Sequence, residues 1–206
     1  MGIDFKDIEF KPFNEVCKNR YDVSNLVNDF DCGVPVVNSF LKEYYSAYYN
    51  HILGIATTNL MFYRDEFIGY FTSRCTSIEV DANEAKKIGG ILQVPAIELY
   101  YIGIDNKFRG LRIGEYVIKV LIGQAIAINK TFACRYFFLR SIPERVAYYT
   151  DPDSFDFEVV GQDEDGLFLL KHFIPDFFDF DEFEDHVVEM EIDDERDTFF
   201  KELDGE

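Results

Sequence analysis

The run Phe108-Arg109-Gly110-Leu111-Arg112-Ile113-Gly114-Glu115 follows directly on an extended stretch, residues 95–105, and opens a segment with helical periodicity. In that segment Ile113, Val117, Val120, Leu121, Gln124, Ala125 and Ile128 recur near the helical period, which predicts a helix over residues 111–129 with one apolar stripe. A strand thus feeds a turn holding two glycines and two arginines, and the turn opens a helix. The N–H groups of a helix's first turn have no partner within the helix, and the helix dipole adds partial positive charge there. Such a turn is an anion pocket whose usual occupant is a pyrophosphate, so the segment points to a nucleotide-type cofactor and to an enzyme.

The remaining pattern alternates. Residues 5–13 read as a first strand. Asp31, Cys32 and Gly33 form a turn, with Asn38 and Ser39 as candidate caps for a helix running to about residue 51. In that helix Tyr44 stacks with Tyr48 and Tyr45 with Tyr49, one pair packing inward and the other available to line a cleft. Residues 53–63 and 67–80 form a hairpin joined by Arg64-Asp65-Glu66, and residues 81–90 a polar connection. Residues 131–140 return to strand. Ser141-Ile142-Pro143-Glu144 fits a capping box with an early proline, predicting a short helix that carries Val146 to Tyr149. A last hairpin, residues 155–160 and 167–173, closes the pattern. This order of elements implies an α/β fold, a mixed central sheet with helices on both faces.

Arg109-Gly110-Leu111-Arg112-Ile113-Gly114 resembles the Arg/Gln-x-x-Gly-x-Gly/Ala signature of the GNAT superfamily of N-acetyltransferases, with Arg112 where the family has its middle glycine. The element order is also that of the GNAT fold, and the resemblance covers residues 5–173. Within it, Phe30-Asp31-Cys32-Gly33 with Asn38-Ser39-Phe40-Leu41, and Val94-Pro95-Ala96-Ile97-Glu98-Leu99 leading into Ile102-Gly103-Ile104-Asp105, resemble the toxin-like acetyltransferases of toxin–antitoxin modules. Those enzymes acetylate the amine of aminoacyl-tRNA.

The resemblance implies acetyl-CoA as cofactor. Its pantetheine arm would pair with backbone groups of Ile102, Gly103 and Ile104, and its diphosphate would lie against Arg109, Gly110, Leu111, Arg112, Ile113 and Gly114. It also implies Tyr149 as the general acid that protonates the departing thiolate, with Tyr148 as its competitor, and Glu98 as a base. Strand alternation puts Glu98 on one face with Tyr100, Ile102 and Ile104. Without the resemblance, Glu98 reads as an exposed charge or the partner of Arg74 or Arg135.

Charge bears on the acceptor. The net charge is −19, and the stretch from Pro175 to Glu206 holds 15 Asp and Glu against Arg196 and Lys201. Residues 1–173 are therefore expected to form the enzyme domain. Residues 174–206 form an acidic tail, whose Phe180, Phe183, Val187 and Met190 make one apolar stripe at helical spacing. Such a field repels nucleic acid and favours cationic partners. A small amine or protein amine is thus the expected acceptor ahead of aminoacyl-tRNA, and a basic protein the expected partner of the tail. A different class stays open, in which a degenerate pocket leaves an interaction module acting through that tail.

The four cysteines and three histidines lack metal-ligand spacing. No run approaches the roughly 20 apolar residues of a membrane span. The chain's start lacks the basic region and apolar core of a signal peptide. No metal, no membrane, a cytoplasmic setting and, from the family's habit, a homodimer are the expectations.

Overall fold

The structure is a computed structural model that describes residues 3–43 and 46–174. A seven-stranded sheet is built from β1 (Ile8–Pro12), β2 (Thr57–Tyr63), β3 (Glu66–Glu79), β4 (Gln93–Ile104), β5 (Tyr136–Ser141), β6 (Glu158–Gln162) and β7 (Phe168–Phe173), in the spatial order β1-β2-β3-β4-β5-β7-β6. Every neighbouring pair is antiparallel except β4 and β5. Around the sheet lie α1 (Phe13–Val16), α2 (Arg20–Val27), α3 (Pro35–Lys42), α4 (Ala47–Ile52), α5 (Ala82–Lys87), α6 (Ile113–Asn129) and α7 (Pro143–Thr150). No helix among the described residues is long and apolar enough to cross a membrane.

Both faces are covered. On one, Ile113, Val117, Ile118, Leu121 and Ala125 of α6 bury against Met61, Phe71, Leu99, Phe137 and Leu139, joined by Val146 and Tyr149 of α7. On the other, Val23, Phe40, Leu41 and Ala47 of α2 to α4 bury against Leu60, Phe62 and Tyr70. Each such side chain contributes on the order of 1.5–3 kcal/mol when fully buried. The stripe expected along α6 is thus rotated slightly: Gln124 and Ile128 face solvent, and Ile118 goes inward.

Turn chemistry sets several boundaries. Arg64 and Asp65 adopt positive φ, 50° and 66°, the pair of left-handed residues that a tight hairpin between β2 and β3 requires. Helix α3 begins at Pro35, whose fixed φ suits a first helical position, so Asn38 and Ser39 lie inside the helix and do not cap it. The helix also stops at Lys42; α4 is a separate element, and Tyr44 and Tyr45 lie outside the described residues. The capping box at Ser141 does not form either. Pro143 takes the first helical position, Ile142 becomes the N-cap, and the Ser141 hydroxyl donates to the Ile142 carbonyl instead. Three helices, α1, α2 and α5, have no counterpart in the periodicity reading. In α2, Asn19 accepts from the N–H groups of Tyr21 and Asp22; in α5, Asp81 accepts from those of Asn83 and Glu84.

The face near α5 is closed by a polar knot. Glu84 accepts from Lys171 Nζ at 2.8 Å, from Arg135 Nε at 3.0 Å and from the Tyr136 hydroxyl. Lys171 is buried in the middle of β7. Burial pushes the Glu84 carboxyl up, but these donors outweigh it and hold the group below its ordinary value. The body runs one residue past β7, because Ile174 is buried and donates to the Arg135 carbonyl. The acidic tail expected over residues 174–206, with its helical stripe, otherwise lies outside the described residues.

Removing the Glu84 carboxylate takes from buried Lys171 its nearer carboxylate and leaves it the exposed Glu158 at 3.5 Å. Glu84→Ala is expected to cost about 3–5 kcal/mol in urea unfolding, against a far smaller cost for Glu84→Met combined with Lys171→Met. A carboxyl held low when folded stabilises above its unfolded pKa and loses that contribution as pH falls through the folded value. The difference between wild type and Glu84→Ala should therefore shrink below about pH 4.

Candidate active site

The site begins with a parting of strands. β4 and β5 pair only from Ala96–Tyr136 to Leu99–Leu139. Beyond that point Arg140 and Ser141 stay on β7, while Tyr101 to Ile104 stay on β3. The last third of β4 therefore presents one edge with no strand partner. At the same place β3 pairs Thr72 with Tyr101 and Ser73 with Leu99, so Tyr100 is an extra residue. A bulge of this kind reverses the alternation of side chains. Ile97 and Leu99 before it, and Ile102 and Ile104 after it, all pack on the α6 face. Glu98 is consequently not on the face of Ile102 and Ile104, as unbroken alternation had it, but on the opposite one.

A second assembly holds the end of β4 in place. The Asn38 side chain accepts from Cys32 N–H at 2.9 Å and donates to Asp31 Oδ1 at 2.7 Å, and Asp31 Oδ1 also accepts from Gly33 N–H. Those hydrogen bonds, Gly33 first and Asn38 next, hold the Asp31 carboxyl below its ordinary value. The locked turn is stitched to the loop after β4: Asn106 N–H donates to the Asp31 carbonyl at 2.8 Å, and Arg109 Nη2 donates to the Cys32 carbonyl at 2.9 Å. Gly33 has φ of +74°, and a Cβ on it would lie 2.9 Å from Arg109 Nη2. The backbone conformation favours glycine there, and a Cβ would push on the guanidinium that tethers the turn.

Between the free edge of β4 and the start of α6 lies a cavity of about 350 Å³. Of the residues singled out in the sequence, Ile102, Gly103, Ile104, Arg109, Gly110, Arg112, Ile113, Gly114 and Tyr149 line it together. Leu111 and Glu98 do not; Leu111 packs against the α6-side core. The first turn of α6 carries no side-chain cap, and the space above Gly110 and Gly114 is open, with nothing within 4 Å of where a Cβ would sit. Arg112 is the N-cap, in the left-handed conformation at φ 59° and ψ 20°. It therefore adopts the conformation a glycine would favour, at a cost of roughly 1 kcal/mol. Its guanidinium turns to Glu115, making two hydrogen bonds of 2.7 Å, and Lys119 reaches the same carboxylate at 2.8 Å.

The opposite wall comes from α7. Tyr149 is flanked by Tyr148, Phe155 and Phe157 at 5.3, 6.1 and 6.0 Å between ring centres. Burial raises its phenol above the ordinary value, Tyr148 adds to this, and Arg145 pulls the other way. Arg145 also lines the cavity and has no carboxylate partner among the described residues. Neither Arg145 nor Glu115 stood out in the sequence, because each reads as one more charge on a helix; the start of each helix was the only pointer.

A second cavity of about 200 Å³ adjoins the first, and Val34, Ile102 and Tyr149 line both. Tyr148 lines the first alone, so Tyr149 is the tyrosine at the junction. Near the second cavity Glu98 is 2% exposed and fully engaged. Arg74 Nε donates to Oε2 at 2.6 Å and Arg140 Nη2 to Oε1 at 3.2 Å. The carboxylate's partners are thus Arg74 and Arg140; Arg135 belongs to Glu84. The Arg74 guanidinium also lies 3.9 Å from the centre of the Tyr100 ring.

No protein-family model matches the chain, and no curated protein matches it in sequence. Solved structures match its fold. A tyrosine-to-phenylalanine variant of the toxin AtaT, bound to acetyl-CoA and the C-terminus of the antitoxin AtaR, has a TM-score of 0.62 at 16% identity, over 82% of this chain and 94% of its own. A tyrosine-to-phenylalanine variant of KacT gives 0.64 at 19% identity, over 82% and 95%. AtaT complexed with acetyl-methionyl-tRNA gives 0.62 at 16% identity, over 79% and 94%. The mixed seven-stranded sheet with its flanking helices is therefore the fold of the toxins AtaT and KacT.

Proposed function

We propose that this chain is an N-acetyltransferase that moves an acetyl group from acetyl-CoA to a primary amine. The observation that carries this reading is the parting of β4 from β5 beside an uncapped helix, with Tyr149 where two cavities meet. The free edge of β4 at Ile102 to Ile104 suits the amide-bearing pantetheine arm. The open first turn of α6, over Gly110 and Gly114, suits the diphosphate. Arg112 and Arg145 add charge beside it, whereas Arg109 acts through the turn it tethers.

Acetyl-CoA would supply a thioester, a carbonyl already activated toward amines. The amine nitrogen forms a bond to the carbonyl carbon, the carbon–sulfur bond breaks, and the acetylated amine leaves with free coenzyme A. A β4 N–H polarises the carbonyl oxygen. The amine attacks after its ammonium proton has gone to solvent; once the new bond forms the nitrogen sheds a second proton, which replaces the one Tyr149 gives to the leaving sulfur. Glu98 supports the cleft by holding Arg74 and Arg140. With both oxygens engaged, it is not the group to which we assign the amine's proton; solvent takes that role.

Two other readings have their own support. AtaT has been captured with acetyl-methionyl-tRNA, and an aminoacyl-tRNA amine is the second acceptor class, against which the −19 net charge stands. The left-handed arginine at position 112 keeps open a non-catalytic interaction module. Calorimetry separates this last reading from the others. Micromolar binding of acetyl-CoA, abolished by Gly114→Trp with little change in thermal stability, is expected; a wild-type chain that does not bind removes the enzyme reading.

Tyr149→Phe is expected to lower kcat by about 10²–10⁴-fold with acetyl-CoA affinity unchanged, and Tyr148→Phe to cost far less. The phenol's raised pKa keeps it protonated, so the Tyr149 hydroxyl produces no loss of rate below about pH 10. Arg112→Gly should weaken acetyl-CoA binding, because the Glu115 carboxylate then faces the diphosphate with Lys119 as its one cation. Adding Glu115→Gln should restore binding, which titration calorimetry on the single and double variants measures directly.

A further inference from the structure

The acetyl-transfer reading leaves the acceptor's chemistry open, and the second cavity bears on it. That cavity meets the first at Val34, Ile102 and Tyr149, so an amine placed there to attack has its substituent inside the second chamber. The chamber is lined by half-buried Val37, Leu167, Tyr100 and Tyr101, with Val36 (60% exposed) and Ile142 (47% exposed) at its solvent rim. No carboxylate is among the described residues that line it. Arg140 is the one charged residue there, and its guanidinium lies between Glu98 Oε1 at 3.2 Å and Asp163 Oδ2 at 3.6 Å. Its charge is therefore already balanced, and each Glu98 oxygen already accepts from an arginine.

We infer that, within the acetyl-transfer reading, the acceptor is a primary monoamine with an aliphatic or aromatic substituent and no second positive charge. An ammonium group entering apolar walls loses hydration, which favours shedding its proton and frees the lone pair that the attack needs. A second ammonium on the same molecule would lose water in the same chamber and find no counter-ion. The chain's negative field draws polycations toward its surface, but the field acts before entry and the wall decides what is seated. The volume of about 200 Å³ takes a branched or aromatic group of the size of a leucine or phenylalanine side chain.

The test uses the full chain and ligand-observed NMR, with isopentylamine, phenethylamine, putrescine and spermidine as probes, with and without saturating coenzyme A. The two monoamines are expected to bind at least about tenfold more tightly than putrescine or spermidine. Val36→Asp places a carboxylate in the wall at an exposed helical position that tolerates it, and should narrow that ratio at least about threefold, leaving coenzyme A affinity unchanged. Putrescine binding as tightly as the monoamines, no amine binding at all, or a ratio unmoved by Val36→Asp overturns the inference. Failure of coenzyme A to bind would instead remove the acetyl-transfer reading, and the amine ranking measured without it would still report on the wall.

Discussion

The architecture depends on where β4 stops pairing with β5. Through Leu99 the two strands share a parallel ladder, and the sheet is continuous from edge to edge. One residue later Tyr100 is squeezed out of register with β3, the strand changes the sides its residues face, and its outer edge is left without a partner. Unpaired backbone groups inside a protein are costly unless something else meets them. A gap of this kind lasts only if the strands on either side are held independently. Here β5 is held by β7, and the end of β4 is held by β3 and by the loop beyond it.

That loop is fixed by chemistry far away in sequence. Asp31, Gly33 and Asn38 lock a turn whose carbonyls receive Asn106 and Arg109, so the floor of the larger cavity is tied to the entrance of α3. Arg109 therefore shapes the site by bracing it. The same logic applies to Glu98, whose two arginines come from β3 and β5, the strands on either side of β4. Both residues carry charge where the sequence suggested direct chemistry, and both have it committed to neighbours.

Legibility followed the range of the forces involved. Residues 95–129 were readable because strand, glycine turn and apolar stripe are local patterns with a period. The hairpin at Arg64-Asp65 was readable for the same reason. The bulge at Tyr100 was not, since nothing in Leu99-Tyr100-Tyr101 distinguishes an extra residue from an alternating one until β3 lies alongside. That single displacement also explains why Glu98 was placed on the wrong face. Of the partners the sequence offered, Arg74 holds and Arg135 does not; that Arg140 takes the other oxygen needed the register of β4 against β5, which is a tertiary fact. Helices α2 and α5 did leave a local mark in their caps, Asn19 and Asp81, but are too short for periodicity to reveal them. Pro143 shifted the start of α7 by one residue, because its ring favours the first helical position over the second.

The two chambers have a common partition, and this constrains how such a protein can diversify. Val34, Ile102 and Tyr149 belong to both rooms, so altering any of them reshapes both cavities at once. Val36, Ile142 and Leu167 touch only the smaller room. Substitutions at positions of this kind reshape one cavity alone, while any change at the partition reshapes both.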